Sequence, residues 1–393
     1  MKNETITAAF KSKKITAGPR GYRTFITNAG IKDTTLDLGI VLSDMPAAAA
    51  AVFTKNQVKG NPVLVGMKHM KGSRISAVVV NSKNSNVATG KQGYADCLAI
   101  CEKVAAEAGL LTERVFPSST GVIGRRIPVE KILTALKGFN RRTTSPADFE
   151  GFAKAIMTTD TFHKIVAKKI GKATLVAVAK GSGMIEPNMA TMLSYFFTDA
   201  DISAPVLRKI LKDSVESTFN SLSVDTDTST SDTVLALANG MAGKVNEKQF
   251  AKAFHEAALD LTRMLARDGE GATKLFKVTV KDVASEEHAR AIGKSIINSP
   301  LVKTAIYKGD PNWGRIFMSI GKTPGVKVVP DRIKIRWGGK SYGNDELPAL
   351  SKYLQKNEEL HLEVSMGTGK KAWTVYGCDY TEDYVKINAY YTT

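Results

Sequence analysis

The fold of this chain is predicted most directly from residues 180–193, which read KGSGMIEPNMATML. Residues 173–179 before them form a short apolar run that is typical of a buried strand. Gly, Pro and Asn fill the middle of the segment and predict a loop, after which a second apolar stretch follows. Thr191 therefore stands where a loop enters a strand. On this pattern alone it is either an ordinary β-branched strand residue or a hydroxyl held rigidly at a strand edge.

The rest of the chain mixes helical and strand patterns. Apolar residues recur at helical spacing over residues 93–108, 204–218, 250–266 and 285–297. Strands are predicted over residues 76–80 and 276–281, and residues 334–393 are interpreted as antiparallel strands with glycine-containing turns. Strands and helices alternate in runs, which is typical of a layered α+β fold and not of a simple βαβ repeat.

The composition is that of a globular protein. Of the 393 residues 43% are hydrophobic and 24% are charged, which excludes disorder as the main state. No stretch approaches the ~18 uninterrupted apolar residues of a membrane span, and the first residues lead into no secretion signal. Cys97, Cys101 and Cys378 make an odd count, which fits a reducing compartment without a disulfide framework. We expect a cytoplasmic protein, with Cys97 and Cys101 as small core residues.

The chain is strongly basic, with a net charge of +17. Such a charge is compatible with nucleic acid, a membrane surface or anionic substrates as partners. The sequence has no block of five consecutive basic residues and no interleaving of arginine with aromatic residues. We therefore interpret the lysines as solvated surface and expect no nucleic-acid binding and no membrane binding.

Metal and nucleotide sites are not indicated by the sequence. None of the five histidines lies three or four residues from another or beside a cysteine or aspartate in a ligand spacing; they are His69, His163, His255, His288 and His361. The chain has no GxGxxG motif after a strand, no Walker A loop and no GxSxG motif. We expect no metal and no cofactor.

Nine short segments resemble one known family in the same order along nearly the whole chain. They are residues 52–59, 80–86, 119–124, 157–161, 180–193, 224–230, 269–274, 309–315 and 387–393. The family is that of the ornithine acetyltransferases, also called glutamate N-acetyltransferases, whose members cleave themselves. The family more often has Gly where Lys83 and Thr226 stand. Glycine can supply a positive φ, so the geometry of these two turns bears on the resemblance.

The resemblance implies a fold and a cleavage. The fold is a layered αββα sandwich with a smaller C-terminal α/β lobe from about residue 280. Cleavage between Ala190 and Thr191 divides the chain into an α chain, residues 1–190, and a β chain, residues 191–393. The two chains stay associated, commonly as an α2β2 heterotetramer.

The resemblance also implies a reaction. Acetyl passes from N2-acetyl-L-ornithine to L-glutamate by a ping-pong route through acetyl-Thr191, and some members accept acetyl-CoA as donor. The new α-amino group of Thr191 is then the base for its own hydroxyl, which explains why no histidine is needed. Thr120 Oγ and the Gly121 N–H are the donors to the oxyanion. The positions that match the family's substrate-binding residues are Thr158, Lys180, Thr191, Glu270, Asn388 and Thr393.

Two other functions remain open at this point. An N-terminal-nucleophile aminopeptidase or amidase of the related self-cleaving fold would use water in place of glutamate as acyl acceptor. A basic RNA- or partner-binding protein without activity would remain a single chain of 42.4 kDa and would bind nucleic acid in a salt-sensitive way.

Overall fold

A computed structural model describes residues 18–186 and 192–390. Within them, nine strands form the larger sheet in the order β4-β3-β2-β9-β8-β7-β6, with β1 paired to β2 and β5 paired to β1. These strands are β1 (Tyr22–Thr27), β2 (Leu38–Phe53), β3 (Arg74–Asn81), β4 (Val115–Ser119), β5 (Ser145–Pro146), β6 (Lys164–Ile170), β7 (Ala173–Lys180), β8 (Leu193–Asp201) and β9 (Thr233–Lys244). The helices along this part of the chain are α1 (Asn61–His69), α2 (Gly90–Ala108), α3 (Val129–Ala135), α4 (Phe149–Ala155), α5 (Ala204–Ser217) and α6 (Glu247–Arg267).

Strand β2 belongs to both halves of this sheet. Its first part pairs with β1 and β3, its last part pairs with β9, and the register is irregular between Leu42 and Ala47. Apolar side chains of the two halves pack against each other, as Val41 and Val78 do with Val176 in one buried cluster. The two halves therefore form two β layers with a shared core.

Helices cover the two outer faces. Leu38 and Val79 pack in one buried cluster with Cys101 of α2, whereas Phe196 packs with Phe254 of α6 on the other side. The order of layers is α, β, β, α, which confirms the predicted sandwich. Cys97, Cys101 and Cys378 are buried and free, so the first two are core residues, as expected.

A second, four-stranded sheet lies in the C-terminal part, in the order β11-β12-β10-β13. Its strands are β10 (Leu275–Val283), β11 (Lys334–Trp337), β12 (Glu359–Ser365) and β13 (Lys371–Cys378). The accompanying helices are α7 (Glu286–Ile297), α8 (Pro300–Lys308), α9 (Trp313–Gly321), α10 (Leu347–Lys356) and α11 (Glu382–Tyr390). Strand and helix side chains form a core of their own, which includes Phe276, Ile292 and Leu362. This is the smaller α/β lobe, and its first strand begins at Leu275.

The interpretation of residues 334–393 as antiparallel strands is wrong in two respects. The segment contains α10 and α11, and β12 runs parallel to β10. Leu350 and Leu354 are four residues apart and buried, a helical spacing that places one face of α10 on the core. The connection between β10 and β12 is long and contains four helices and β11, which allows these two strands to run parallel. The pattern of a single strand does not reveal this. In the described ranges, no helix is long and apolar enough to cross a membrane.

Candidate active site

Thr120 lies directly after β4, at the end of that strand. Strand β4 runs parallel to β3, and Ser119 is paired with Asn81. The Thr120 N–H donates to the Asn81 carbonyl at 3.0 Å, and the Ser119 hydroxyl donates to the Asn81 side chain at 2.5 Å. Thr120 is buried, so its hydroxyl is fixed at the edge of the sheet.

Gly121 holds the backbone in a conformation that other residues rarely adopt. Its φ is +129°, and a Cβ at this position would lie 2.2 Å from the carbonyl carbon of Lys83. The next residue, Val122, donates its N–H to the Lys83 carbonyl at 3.1 Å. Only glycine fits between these two chain segments, and this leaves the Thr120–Gly121 turn close-packed and rigid.

Lys180 is the last residue of β7 and meets Thr120 directly. Its Nζ donates to the Thr120 hydroxyl at 3.0 Å, and the side chain is buried. Burial lowers the pKa of Lys180 from its ordinary value, against the opposing effect of the Asp160 carboxylate. Because the Thr120 oxygen accepts from an ammonium, its own hydrogen is left to donate to another oxygen. The structure thus joins a predicted oxyanion donor to a predicted substrate-binding residue.

Asp160 links Thr158 to the segment after Lys180. One carboxylate oxygen accepts the Thr158 N–H at 3.0 Å and the other accepts the Gly181 N–H at 2.7 Å. Lys164 donates to Asp160 at 2.6 Å and to Asp268 at 2.5 Å, and all three of these charged side chains are buried. Burial would raise the pKa of Asp160, but Lys164 and Lys180 hold that pKa well below its usual range. Asp160 is therefore a fixed negative charge behind the site.

Glu270 and Asn388 form a second pair. Glu270 follows the end of α6, and its N–H donates to the Ser182 carbonyl at 2.9 Å. Its carboxylate accepts a hydrogen bond from the Asn388 amide at 2.8 Å. One carboxylate oxygen lies 2.3 Å from the position that a Cβ on Gly183 would occupy, so only glycine leaves room for Glu270 there. Asn388 is on α11 and is exposed. These contacts place Glu270 beside the chain that leads on from Lys180.

Ala190, Thr191 and Thr393 lie outside the described residues. A small cavity of about 30 Å³ is lined by Thr120 and Lys180 and extends to Met192, the residue covalently attached to Thr191. Its lining consists of Thr120, Lys180, Gly181, Gly183, Met184, Met192, Leu193, Ser229, Ser231 and Asp232.

Lys83 and Thr226 both have a positive φ, +78° and +71°. Both turns therefore have the positive φ that glycine adopts readily, although neither residue is glycine.

Sequence reasoning missed three residues of this site: Lys164, Asp268 and Asp232. Asp160 and Lys164 are four residues apart and of opposite charge, which was a usable signal. Asp268 joins them from the end of α6, and no local pattern indicates that contact. In residues 18–186 and 192–390, no group of three or more His, Cys, Asp or Glu side chains could hold a metal ion.

The four-layered fold and a buried site of one hydroxyl, one ammonium and a glycine backbone suit an acyltransferase, since such donors stabilise an oxyanion. The chain belongs to the ArgJ family, whose model matches residues 23–393. It is 48% identical over 381 residues to the arginine biosynthesis bifunctional protein ArgJ 2 of Nostoc sp., covering 95% of this chain and 98% of that protein. It is 40% identical over 386 residues to the glutamate N-acetyltransferase Oat2 of Streptomyces clavuligerus, covering 95% and 98%.

A solved structure is also similar to this chain. It is the arginine biosynthesis bifunctional protein ArgJ of Bacillus halodurans, which is 39% identical and matches with a TM-score of 0.48. The match covers 51% of this chain and all of that one.

Proposed function

We propose that this enzyme transfers acetyl from N2-acetyl-L-ornithine to L-glutamate, producing L-ornithine and N-acetyl-L-glutamate for arginine biosynthesis. The names of its relatives support this reaction, since one is a glutamate N-acetyltransferase and others are arginine biosynthesis proteins. The observation that carries the proposal is the 3.0 Å hydrogen bond between Lys180 and Thr120. The bond connects two groups with different functions. The Lys180 ammonium can pair with the α-carboxylate of acetyl-ornithine or glutamate, and the Thr120 hydroxyl can donate a hydrogen bond to the oxyanion.

The first step is the cleavage of the chain between Ala190 and Thr191. Thr191 Oγ attacks the Ala190 carbonyl carbon, the C–N bond breaks, and an ester forms as the nitrogen takes a proton. Water then hydrolyses the ester and releases an α chain, residues 1–190, and a β chain, residues 191–393. The small side chain of Ala190 leaves room for the attack.

The second step transfers the acetyl group. The Thr191 amine takes the proton of the Thr191 hydroxyl, and Oγ attacks the acetyl carbonyl of acetyl-ornithine. The resulting oxyanion receives hydrogen bonds from Thr120 Oγ and the Gly121 N–H, each contributing roughly 3 kcal/mol in the transition state. Collapse expels the ornithine α-amine with the proton and leaves acetyl-Thr191. The α-amine of glutamate then attacks the acetyl carbon of acetyl-Thr191. The ester C–O bond breaks, the Thr191 oxygen takes back a proton, and N-acetyl-glutamate leaves.

The remaining residues bind the substrates. Lys180 pairs with the α-carboxylate, and Glu270 pairs with the side-chain ammonium of ornithine. Asn388 holds the Glu270 carboxylate at 2.8 Å. Thr158 and Thr393 complete the substrate site in this proposal. No cofactor is needed, because the reaction exchanges one amide for another.

The two chains remain associated after cleavage. Strands β7 and β2 of the α chain are hydrogen-bonded to β8 and β9 of the β chain, respectively. Because these strand pairs include buried apolar side chains, cutting the peptide between residues 190 and 191 leaves them intact. An α2β2 assembly, a cytoplasmic location and the use of acetyl-CoA as a second donor belong to the same proposal.

The test is intact-protein mass spectrometry of the purified enzyme. With acetyl-ornithine alone, ornithine should be released stoichiometrically and the β chain should gain one acetyl group on Thr191. Glutamate should then remove that group as acetyl-glutamate. Discharge by water at the same rate without glutamate would instead identify an amidase. Absence of any acetylated β chain, with intersecting initial-rate plots, would show a ternary-complex mechanism.

A further inference from the structure

A cavity of about 720 Å³ lies beside Thr158, and no function has yet been given to it. The charged side chains of its lining are those of three lysines and one aspartate, namely Lys32, Lys83, Lys154 and Asp33. Positive charge is therefore in excess around this space, which we call the Thr158 cavity. Such an excess attracts an anionic group.

The Thr158 cavity adjoins the turn that we assign to the oxyanion. One of its lining residues, Lys83, packs against Gly121, because the Lys83 carbonyl carbon would lie 2.2 Å from a Cβ at position 121. The carbonyl oxygen of Lys83 also accepts the Val122 N–H at 3.1 Å. One cation of the cavity is thus carried by a residue that contacts the Thr120–Gly121 turn.

The same cavity adjoins Lys180. Asp160 accepts the Thr158 N–H at 3.0 Å and the Gly181 N–H at 2.7 Å, so Thr158 lies close to the residue that follows Lys180. Burial lowers the pKa of Lys32, and the charge of Lys180 lowers it further, against the effect of carboxylates that include Asp160. Lys32 and Lys180 are therefore near enough to influence each other. A molecule whose carboxylate is bound to Lys180 has the Thr158 cavity beside it.

Two ammonium groups of this cavity have hydrogens available for a ligand. Lys32 Nζ donates to two backbone carbonyls, at 3.0 and 2.7 Å, which fix its position and leave the third hydrogen of the ammonium. Lys83 is exposed, and its ammonium makes no hydrogen bond and no ion pair with the described residues. Lys154, by contrast, already pairs with Glu150 at 2.8 Å. Lys32 and Lys83 are therefore the cations that an incoming anion can bind.

The proposed reaction requires such a cation. The enzyme takes two amino acids in turn, and their side chains end in opposite charges, an ammonium in ornithine and a carboxylate in glutamate. The Glu270 carboxylate, which we assign to the ammonium of ornithine, repels the γ-carboxylate of glutamate. Both side chains contain several rotatable bonds, so different rotamers can direct their ends to different walls of the site. Glutamate therefore needs a positive group away from Glu270.

We propose that Lys32 and Lys83 bind the γ-carboxylate of the acceptor glutamate in the Thr158 cavity. This inference rests on the proposed function and adds to it the residues that select a dicarboxylic acceptor. Each ammonium donates a charge-assisted hydrogen bond to the γ-carboxylate while Lys180 holds the α-carboxylate. Ornithine makes no use of these two lysines, because its ammonium is bound by Glu270.

The experiment compares Lys83→Met and Lys83→Glu with Lys212→Met, which removes the charge of an exposed lysine on α5. Glutamate and isotopically labelled ornithine serve in turn as acceptors of the acetyl group from acetyl-ornithine. Lys83→Met should lower kcat/KM for glutamate roughly tenfold and leave kcat/KM for labelled ornithine unchanged. Lys83→Glu should lower the value for glutamate further, because it places a like charge in the cavity. Lys212→Met should match the unaltered enzyme with both acceptors.

Three results would overturn the inference. The first is normal use of glutamate by both Lys83 variants. The second is an equal loss with glutamate and with ornithine, which would show that Lys83 only shapes the turn at Gly121. The third is a loss in Lys83→Met that is confined to acetyl-CoA as donor, which would assign the cavity to the phosphates of that donor. Lys83 is exposed, so both variants should fold, and thermal unfolding checks that they do.

The proposed function and this inference fail in different ways. An unaltered enzyme that forms no acetylated β chain contradicts the function itself. An enzyme that acetylates Thr191 and passes the group to glutamate, while both Lys83 variants behave like Lys212→Met, contradicts the inference alone.

Discussion

The ammonium of Lys180 donates a hydrogen bond of 3.0 Å to the hydroxyl of Thr120. The two residues end strands in different halves of the larger sheet, since Thr120 follows β4 and Lys180 closes β7. The contact therefore spans the two β layers at one edge. A substrate carboxylate bound to Lys180 would be connected through one hydrogen bond to the donor for the oxyanion.

Thr120→Ala should lower kcat by roughly 10²–10³ while the KM for acetyl-ornithine changes only a few-fold, because the hydroxyl acts mainly on the transition state. Steady-state kinetics measure both constants.

The double variant Lys180→Met with Thr120→Ala should lose less transition-state stabilisation, measured from kcat/KM, than the sum of the losses in the two single variants, since the residues are in contact. If the free-energy costs of the two single changes add exactly in the double variant, the hydrogen bond between Lys180 and Thr120 has no part in the reaction.

Lys180 should make substrate binding sensitive to alkaline pH. Its pKa lies below the ordinary value of 10.5 because the side chain is buried. The Lys180 ammonium, which we propose binds the substrate carboxylate, is present below that pKa and is lost as pH rises through it. The KM for acetyl-ornithine should therefore rise at a pH below the range expected for a free lysine. Lys180→Met should have a high KM without this pH dependence, and Lys212→Met, at an exposed site on α5, should retain it.

Thr191→Ala should remain a single 393-residue chain without transferase activity, because the hydroxyl is needed for both cleavage and transfer. Thr191→Ser retains a hydroxyl and should still cleave, more slowly. A denaturing gel with N-terminal sequencing of the bands shows the result. Two bands from Thr191→Ala would place the cleavage elsewhere.

Lys83→Gly and Thr226→Gly should each stabilise the protein by about 0.5–1 kcal/mol, because an L-residue is strained at positive φ and glycine is not. Thermal unfolding of the uncleaved Thr191→Ala background measures the change in a single chain. Lys212→Gly in the middle of α5 is the matched control and should destabilise by about 1 kcal/mol. If Lys83→Gly lowers the melting temperature as Lys212→Gly does, the Lys83 side chain stabilises the fold by more than its backbone strain costs.

Sequence patterns predict the elements well where one apolar period dominates. The run at residues 173–179 is β7, the pattern over residues 250–266 is α6, and the pattern over residues 285–297 is α7. The sequence contains the residues of the candidate site as separate motifs. Their meeting was not predictable, because the Lys180–Thr120 contact and the Lys164–Asp268 ion pair join residues 60 and 104 positions apart.

The C-terminal lobe shows most clearly what local sequence patterns cannot predict, which is the pairing of the strands. The alternating pattern over residues 276–281 correctly predicts β10, yet it does not show that β12 pairs with β10 in parallel, across a connection of four helices and β11. Hydrogen-bond partners in a sheet depend on such connections, and a local pattern contains no information on them.

If the chain is cleaved between Ala190 and Thr191 as proposed, the larger sheet holds two separate chains together, and this affects how the enzyme refolds. Strand β2 from before the cut pairs with β9 from after it, and β7 pairs with β8 across it. The uncut chain folds with these partners tethered, whereas the cut enzyme, once denatured, has to find them by collision between two molecules. Refolding yield should then rise with protein concentration for the cut enzyme and be independent of concentration for Thr191→Ala. A cleaved enzyme would then fold efficiently only once, as the uncut chain, and would recover poorly from heat or denaturant at low protein concentration.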